Sequence, residues 1–339
     1  MKVSVGICTC NGERFISEQV RSVLNQTVKP DEIIISDDNS SDKTIAIVRE
    51  ELSKCDIPYR IEESQVHLGI RKNFEKVFGL CQGDIIFSCD QDDIWAEDKI
   101  ESFMPYFEAG YSFVYSNSWV VDSERKLISS NYWTFYGVDF ANISIDQFRV
   151  TTLTNRVVSG YNMAFTKSLF EQVAPFPEHF IHDDWIAICS SWYGKVAFID
   201  KPLTEYRIHG NNTSGFGVQE DRQEIQKSNK LISESYYSTP PNVWFGNAHL
   251  YLASEAFYAR MKEVIDARFR TTTKKFITFE KNILACVPKN KLKAILLLSR
   301  ELITGRYKEF RGGIKRWLSD VVYILVNTNT NYTVDFNIW

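Results

Sequence analysis

The sequence predicts an α/β fold with a mixed, mainly parallel sheet and a helical C-terminal extension. Two observations carry that prediction. The N-terminal third alternates short apolar runs with amphipathic segments, and its polar and acidic residues collect just after the apolar runs. Repeated β-α-β units give a parallel sheet with right-handed crossovers and helices on both faces. In such sheets a ligand binds beyond the carboxyl ends of the strands.

The elements follow in order. "VSVGIC" is a strand buried on both faces. "GERFISEQVRSVLNQ" puts Phe15, Ile16, Val20, Val23 and Leu24 on one helical stripe. "EIIISD" is the second strand, and "SSDKTIAIVREEL" the second helix, with Ser40 or Ser41 as its N-cap. "YRIEE" is a third strand, and "IRKNFEKVFGLCQG" a helix closed by Gly83. "DIIFSC" is the fourth strand. Beyond about residue 110 the pattern is mixed: "YSFVYSN" and "WVVD" read as strands, "TKSLFEQV" and "DWIAICSSWYG" as helices. "KVAFIDKPLTEYRIH" reads as two short strands broken at Pro202. After "GNNTSGFG" the period is helical, with a break at "STPPN" and amphipathic stretches in "KNKLKAILLLSRELI" and "GGIKRWLSDVVYILV". The expected boundary lies near residue 215, giving halves 1–110 and 111–215 and a helical region 216–339.

Composition narrows the class. The formal net charge is −4, yet Arg268 to Leu318 holds fourteen Lys or Arg against Glu280, Glu301 and Glu309. Such a basic stretch suits an anionic membrane surface or an acidic partner. Nucleic acid is disfavoured, because no reading motif accompanies the charge. The seven cysteines (8, 10, 55, 81, 89, 189, 286) lack CxxC pairs and histidine companions at zinc spacing, which reads as reduced thiols in the cytoplasm. The start, "MKVSVGICTCNG", lacks the charged and apolar segments of a signal peptide, and no run of about 18 apolar residues predicts a spanning helix. No GxGxxG follows the first strand, so a dinucleotide oxidoreductase is disfavoured. "CTCNGERF" is likewise no glycine-rich phosphate loop, which argues against a nucleotidyltransferase.

The polar clusters converge on one edge. Thr9 and Asn11 follow strand one, Asp37 and Asp38 follow strand two, and Asp90, Asp92 and Asp93 follow strand four in "IIFSCDQDDIW". Like charges this close repel unless water or a cation takes up the field. The loop is therefore either simply solvated or built for a metal ion. A second carboxylate pair lies in "HDDW", where Asp183 and Asp184 either cap a helix N-terminus or supply a base.

"VSVGICTCNGERFI", "QTVKPDEIIISDDNSSDKT", "LGIRKNF", "GDIIFSCDQDDIW", "VSGYNMAF", "HDDWIAI" and "YRIHGNN", in order over residues 3 to 215, together resemble the family-two glycosyltransferases of GT-A fold. The form of "DQDDIW" and "YRIHGNN" looks most like bacterial rhamnosyltransferases of surface polysaccharide synthesis. The resemblance implies that Asp90-Gln91-Asp92 is the Asp-x-Asp element holding Mg²⁺ or Mn²⁺ on the donor diphosphate. Asp92 is then the main metal ligand, and Asp90 serves the ribose or a metal-bound water. Asp93 is left between that site and a cap on the helix beginning near Ala96. Asp38 takes the nucleobase imide, and Asp37 is structural. Thr9, Asn11 and Glu13 line base and ribose, while Cys10 stands where the family often has tyrosine. Arg71 and Asn73 contact the diphosphate or orient Asp38, with a surface ion pair the other reading of Arg71. Asp183 is the implied base, Trp185 a pocket wall or a core residue, and His209, with Arg207, a group that reaches the metal or diphosphate. "GFGVQ" reads as a moving lid, and Gly160 and Asn162 as the acceptor side.

The implied reaction is inverting transfer from a nucleoside-diphosphate sugar to a hydroxyl of a glycan or polyprenyl-linked acceptor. L-Rhamnose on dTDP leads, with a UDP-hexose or UDP-N-acetylhexosamine as the alternative and a sugar-binding scaffold as the non-enzymatic one. The C-terminal helices pack on the catalytic domain, rest on the inner face of the membrane, or form a homodimer.

Overall fold

The computed structural model describes residues 1–135, 143–154, 158–210, 212, 240–285, 291–306 and 310. Its contacts divide the chain into two compact units, Met1–Ile225 and Gln226–Trp339. The boundary expected near residue 215, the "GFGVQ" segment and "GGIKRWLSDVVYILV" lie outside the described residues.

The first unit opens with the predicted alternation. It runs β1 (Val3–Thr9), α1 (Ile16–Leu24), β2 (Glu32–Asp37), α2 (Thr44–Leu52), β3 (Tyr59–Glu63), α3 (Ile70–Leu80) and β4 (Ile85–Cys89). Then come β5 (Ile94–Trp95), α4 (Lys99–Glu108), β6 (Tyr111–Val121), β7 (Leu127–Ser129), α5 (Tyr132–Phe135) and α6 (Ile145–Thr154). A 3₁₀ turn at Gly160–Asn162 leads into β8 (Met163–Thr166), α7 (Lys167–Val173), α8 (His182–Tyr193) and β9 (Lys195–Arg207). One sheet holds all nine strands in the order β3-β2-β1-β4-β8-β6-β9-β5, with β7 paired to β6. The β3-β2-β1-β4 ladders and β6-β9 are parallel. The antiparallel joints are short, two or three residue pairs each. The sheet is thus mixed and mainly parallel.

The core explains why. Val5, Ile7, Ile33, Ile35 and Phe87 are fully buried between the helix layers, and the α1 stripe delivers Ile16, Val20 and Val23 to the same cluster. Strands covered on both faces need continuous apolar runs, which is how β1, β2 and β4 read. Parallel pairing also aligns the strand ends: Thr9 stands beside Asp37, and Ile7 beside Cys89.

Several local expectations are corrected. The two strands read from "YSFVYSN" and "WVVD" are one strand, β6, and those read across Pro202 are one strand, β9. Pro202 is accommodated because the register against β6 jumps there, from Ser116–Ile199 to Asn117–Pro202. At such an irregularity proline's missing N–H costs no ladder bond. Asp42, not Ser40 or Ser41, accepts the Thr44 amide (2.9 Å) at the start of α2, and Ser40 is drawn to Asp37 instead. Helix α3 ends at Leu80 with Cys81 extended, so Gly83 lies past its cap.

The second unit contains α9 (Pro240–Met261), α10 (Ala267–Ala285) and α11 (Lys291–Ile303). The break read at "STPPN" is a helix start as far as it is described, with Pro240 where the first-turn N–H needs no partner. Phe257, Phe276, Phe279 and Leu298 are buried within this unit, and buried Glu301 is satisfied by Asn282 (2.8 Å) and Arg306 (2.8 Å). No helix is long and apolar enough to cross a membrane, among the described residues.

Candidate active site

Two loops at the carboxyl edge of the sheet are zipped together. After β1, Asn11 takes φ 49° and its Oδ1 accepts the Ser41 amide at 2.9 Å. Glu13 Oε2 accepts the Lys43 amide (3.0 Å), and the Glu13 amide returns to Asp42 Oδ2 (3.0 Å). Thr9 is buried and its hydroxyl donates to Asp37 Oδ1 at 2.6 Å, with Ser40 on the same carboxylate. Thr9 and Asp37 thus form an internal frame at the end of β1 and β2. Asn11 and Glu13 stay exposed at the rim.

Asp38 is buried at 3% exposure beside them. Its oxygens accept the amides of Leu68 (2.5 Å) and Gly69 (2.9 Å), and His67 Nδ1 lies 3.0 Å from Oδ2. The groups expected to orient Asp38 lie elsewhere. Asn73 is buried and spends both ends of its amide on Ser36, which ties α3 to β2. Arg71 donates to the Phe176 carbonyl at 2.9 Å and lies 3.9 Å from Glu75, so the ion-pair reading of it stands. Backbone amides hold Asp38 better than a flexible side chain, because they carry no rotamer entropy to lose.

The acidic loop after β4 has a different construction from its sequence reading. Gln91 clamps the Cys10 backbone from both sides, accepting its amide (2.8 Å) and donating to its carbonyl (3.0 Å), and so braces that loop. Gly12 permits this: a Cβ there would lie 2.2 Å from Gln91 Oε1. Asp93 is buried and accepts the Arg207 amide at 3.0 Å, so it pins β9 and caps no helix; β5 intervenes and α4 begins only at Lys99. Asp92 remains half-buried, with Oδ2 2.9 Å from His209 Nε2. Arg207 is directed away, to Glu18 (2.8 Å) and over the Phe15 ring.

Electrostatics mark this corner. Burial, then the charges of Asp92 and Asp183, push the Asp90 carboxyl well above the usual carboxylate range. Burial, then Asp92 and Asp90, do the same to Asp93. Beneath them Lys99 is fully buried; its ammonium donates to the Tyr161 carbonyl (2.6 Å) and Thr204 (2.9 Å) and lies over Trp95. Burial lowers Lys99 to about 7 against the opposing pull of Cys89, Asp93 and Asp90. Excess buried negative charge is the condition a cation relieves. The donor set fits one: two adjacent octahedral ligands at about 2.1 Å stand roughly 3 Å apart, close to the Asp92–His209 separation.

Asp183 acts on the same corner from helix α8. It sits in the first turn of α8, where the helix field favours a carboxylate. Its Oδ2 accepts the Gly160 amide at 2.9 Å, and its charge reaches Asp90. Gly160 is glycine because a Cβ would fall 2.4 Å from His182 Nε2. Asn162, on the same turn, is fully buried with neither end of its amide hydrogen-bonded. Trp185 is core: it is fully buried and its indole donates to the Val173 carbonyl at 2.8 Å.

Asp38, Asp90, Asp92, His209 and Asp183 therefore gather at the sheet's carboxyl edge. Gln91, Thr9, Asn73 and Arg71 support them or lie apart. Sequence reasoning missed His67 and Lys99. His67 adjoined a recognised segment, "LGIRKNF". Lys99 left no local signal, since its partners are 62 and 105 positions away.

Comparison with known proteins identifies the family and the fold. The profile of Glycosyl transferase family 2 matches residues 4–174. The dTDP-rhamnosyl transferase RfbG of Shigella flexneri is 38% identical over 229 residues, 62% of this chain and 74% of its own. The GalNAc(5)-diNAcBac-PP-undecaprenol beta-1,3-glucosyltransferase of Campylobacter jejuni is 24% identical over 276 residues, 79% of this chain and 86% of its own. The crystal structure of S. aureus TarS 1-349 with UDP superposes with a TM-score of 0.53 at 13% identity, covering 96% of this chain and 92% of that one. The fold is that of the GT-A glycosyltransferases, and the chain belongs to glycosyl transferase family 2.

Proposed function

We propose that the protein is an inverting, Mg²⁺- or Mn²⁺-dependent hexosyltransferase acting in surface polysaccharide synthesis. It moves L-rhamnose from dTDP-rhamnose to a hydroxyl of a glycan or polyprenyl-linked acceptor. The observation that carries this reading is that Asp183 lies close enough to raise the Asp90 carboxyl, beside the Asp92–His209 pair at 2.9 Å. Direct displacement needs a base on one side and charge relief for the leaving group on the other. Asp183 takes the proton of the acceptor hydroxyl as its oxygen bonds to the sugar's anomeric carbon. The bond from that carbon to the diphosphate breaks, and its electron pair leaves with the diphosphate. Asp92 and His209 would hold the cation, which, when bound, neutralises that departing charge. Asp38 receives the nucleobase imide, with Asn11 and Glu13 at the rim of the ribose site, and the Gly160 amide keeps Asp183 aimed.

The RfbG likeness supports the rhamnose donor. The Campylobacter likeness supports a polyprenyl-linked acceptor and keeps a UDP-hexose or UDP-N-acetylhexosamine as the second reading. We place the catalytic unit at 1–215, and the basic stretch from Arg268 to Leu318 against an anionic leaflet on the cytoplasmic face. Liposome flotation with anionic and neutral lipids tests the membrane part; absence from both floating fractions counts against it. The reaction is tested by a donor screen with Mn²⁺ or Mg²⁺, scored by released nucleoside diphosphate. Release from dTDP-rhamnose above other donors is the expected result. No release from any donor with either cation would favour a sugar-binding scaffold.

A further inference from the structure

The geometry points to a transition-metal site, distinct from the Asp92 corner, formed by Cys10 Sγ, the Asp38 carboxylate and the His67 imidazole. One ligand atom from each of the three lies within 4.8 Å of the other two. Tetrahedral Zn²⁺ with bonds of about 2.0–2.3 Å holds its ligands roughly 3.3–3.6 Å apart. The site therefore needs a closure of about 1 Å, and the pair His67 Nδ1–Asp38 Oδ2, at 3.0 Å, is already inside that spacing. His67 is exposed and Cys10 half-buried, so both side chains have room to make the adjustment.

The three ligands are held in place without any metal. Gln91 fixes the Cys10 backbone at both amide and carbonyl. The amides of Leu68 and Gly69, immediately after His67, are bonded to Asp38 itself. These bonds hold the loop that carries His67 to the carboxylate it would share a metal with. They also orient that carboxylate, as outer-shell hydrogen bonds do in established metal sites. Each carboxylate oxygen keeps a lone pair beyond the ones these amides use.

Ligand chemistry separates this site from the one at Asp92. A thiolate and an imidazole select Zn²⁺ or its analogue Co²⁺ over Mg²⁺, whereas carboxylate oxygens suit the harder ions. Three protein ligands leave a fourth position open to water. The consequence rests on the proposed nucleobase role of Asp38: zinc and nucleotide would claim the same carboxylate, so zinc acts as an inhibitor competing with the donor.

The test uses the full chain with Co²⁺ alone, then Zn²⁺ in competition. Only a thiolate ligand produces the sulfur-to-cobalt charge-transfer band, so binding at Asp92 is silent in this readout. The band is expected in the wild type, retained in Cys55→Ser, and lost in Cys10→Ser. His67→Ala should weaken cobalt binding at least about tenfold. Circular dichroism of the metal-free variants checks that they fold. Absence of the band in the wild type, or its persistence in Cys10→Ser, overturns the site. Saturating dTDP or UDP, with cobalt kept in excess over nucleotide so that chelation by the diphosphate does not empty the site, separates the two readings. If nucleotide removes the band, both stand; if nucleotide binds and the band remains, the metal site stands and the nucleobase role of Asp38 fails. If no band forms but Asp38→Asn loses nucleotide, the metal site alone fails.

Discussion

His209 Nε2 lies 2.9 Å from Asp92 Oδ2, bringing together two loops 117 positions apart in the chain. A second bond, from the Arg207 amide to Asp93 Oδ1 (3.0 Å), fastens the same two loops. The end of β9 is thus locked to the acidic corner before any ligand arrives. If these two side chains hold the cation, His209→Ala should weaken Mn²⁺ binding in the presence of nucleoside diphosphate by about 10–100-fold. Asp92→Ala should weaken it more. Electron paramagnetic resonance of free Mn²⁺ measures both, and unchanged affinity in both variants would place the cation elsewhere.

Asp183 offers a cleaner separation of binding from chemistry. In Asp183→Asn the one remaining side-chain oxygen can still accept the Gly160 amide, while the bond that the other oxygen accepts from the Asp184 amide (2.8 Å) is lost along with the base. The expected result is a fall in kcat on the order of 10²–10⁴ with donor affinity unchanged. Steady-state kinetics and donor calorimetry read the two quantities. Normal turnover in this variant would move the base to Asp184.

The sheet and its carboxyl edge were legible because both depend on local pattern. Buried parallel strands must be apolar throughout, and Thr9, Asp38 and Asp92 had to follow them. What stayed hidden was the partner of each polar group. Nothing near Asn73 announces that Ser36 will take both ends of its amide. Gln91 sits inside the Asp-x-Asp element, yet its side chain belongs to Cys10. The Cys10–Asp38–His67 cluster has no motif spacing, since the loop after β1, the loop after β2 and the loop before α3 supply one residue each. A buried lysine such as Lys99 is unreadable for the same reason: its hydrogen-bond partners, the Tyr161 carbonyl and the Thr204 hydroxyl, arrive through tertiary packing.

Gly160 is a structural constraint that can be measured without substrate. A Cβ there would lie 2.4 Å from His182 Nε2, and that ring cannot retreat, being stacked on Phe74 at 3.6 Å. Gly160→Ala should therefore cost about 1–3 kcal/mol of stability, as overpacking in a tight core does. It should also loosen Asp183 and lower kcat. Urea unfolding gives the first quantity; wild-type stability would show that the turn shifts freely.

His182 makes stability depend on pH in a definite direction. The ring is buried, and burial lowers its pKa from the ordinary 6.5 to about 4. Between those values the unfolded chain binds a proton that the folded chain refuses, so the unfolding free energy falls as pH drops from 6.5 towards 4. The loss attributable to this one ring is on the order of 3 kcal/mol across the window. The half-buried Asp90 and buried Asp93 carboxyls, raised in the fold, act with the opposite sign, since their contribution is lost as pH rises. Comparison with His182→Gln isolates the histidine, because the carboxyls are common to both proteins. Urea denaturation at several pH values from 7 to 4 should show the wild type losing stability faster than the variant. Parallel curves would mean that the ring takes up its proton without leaving the fold.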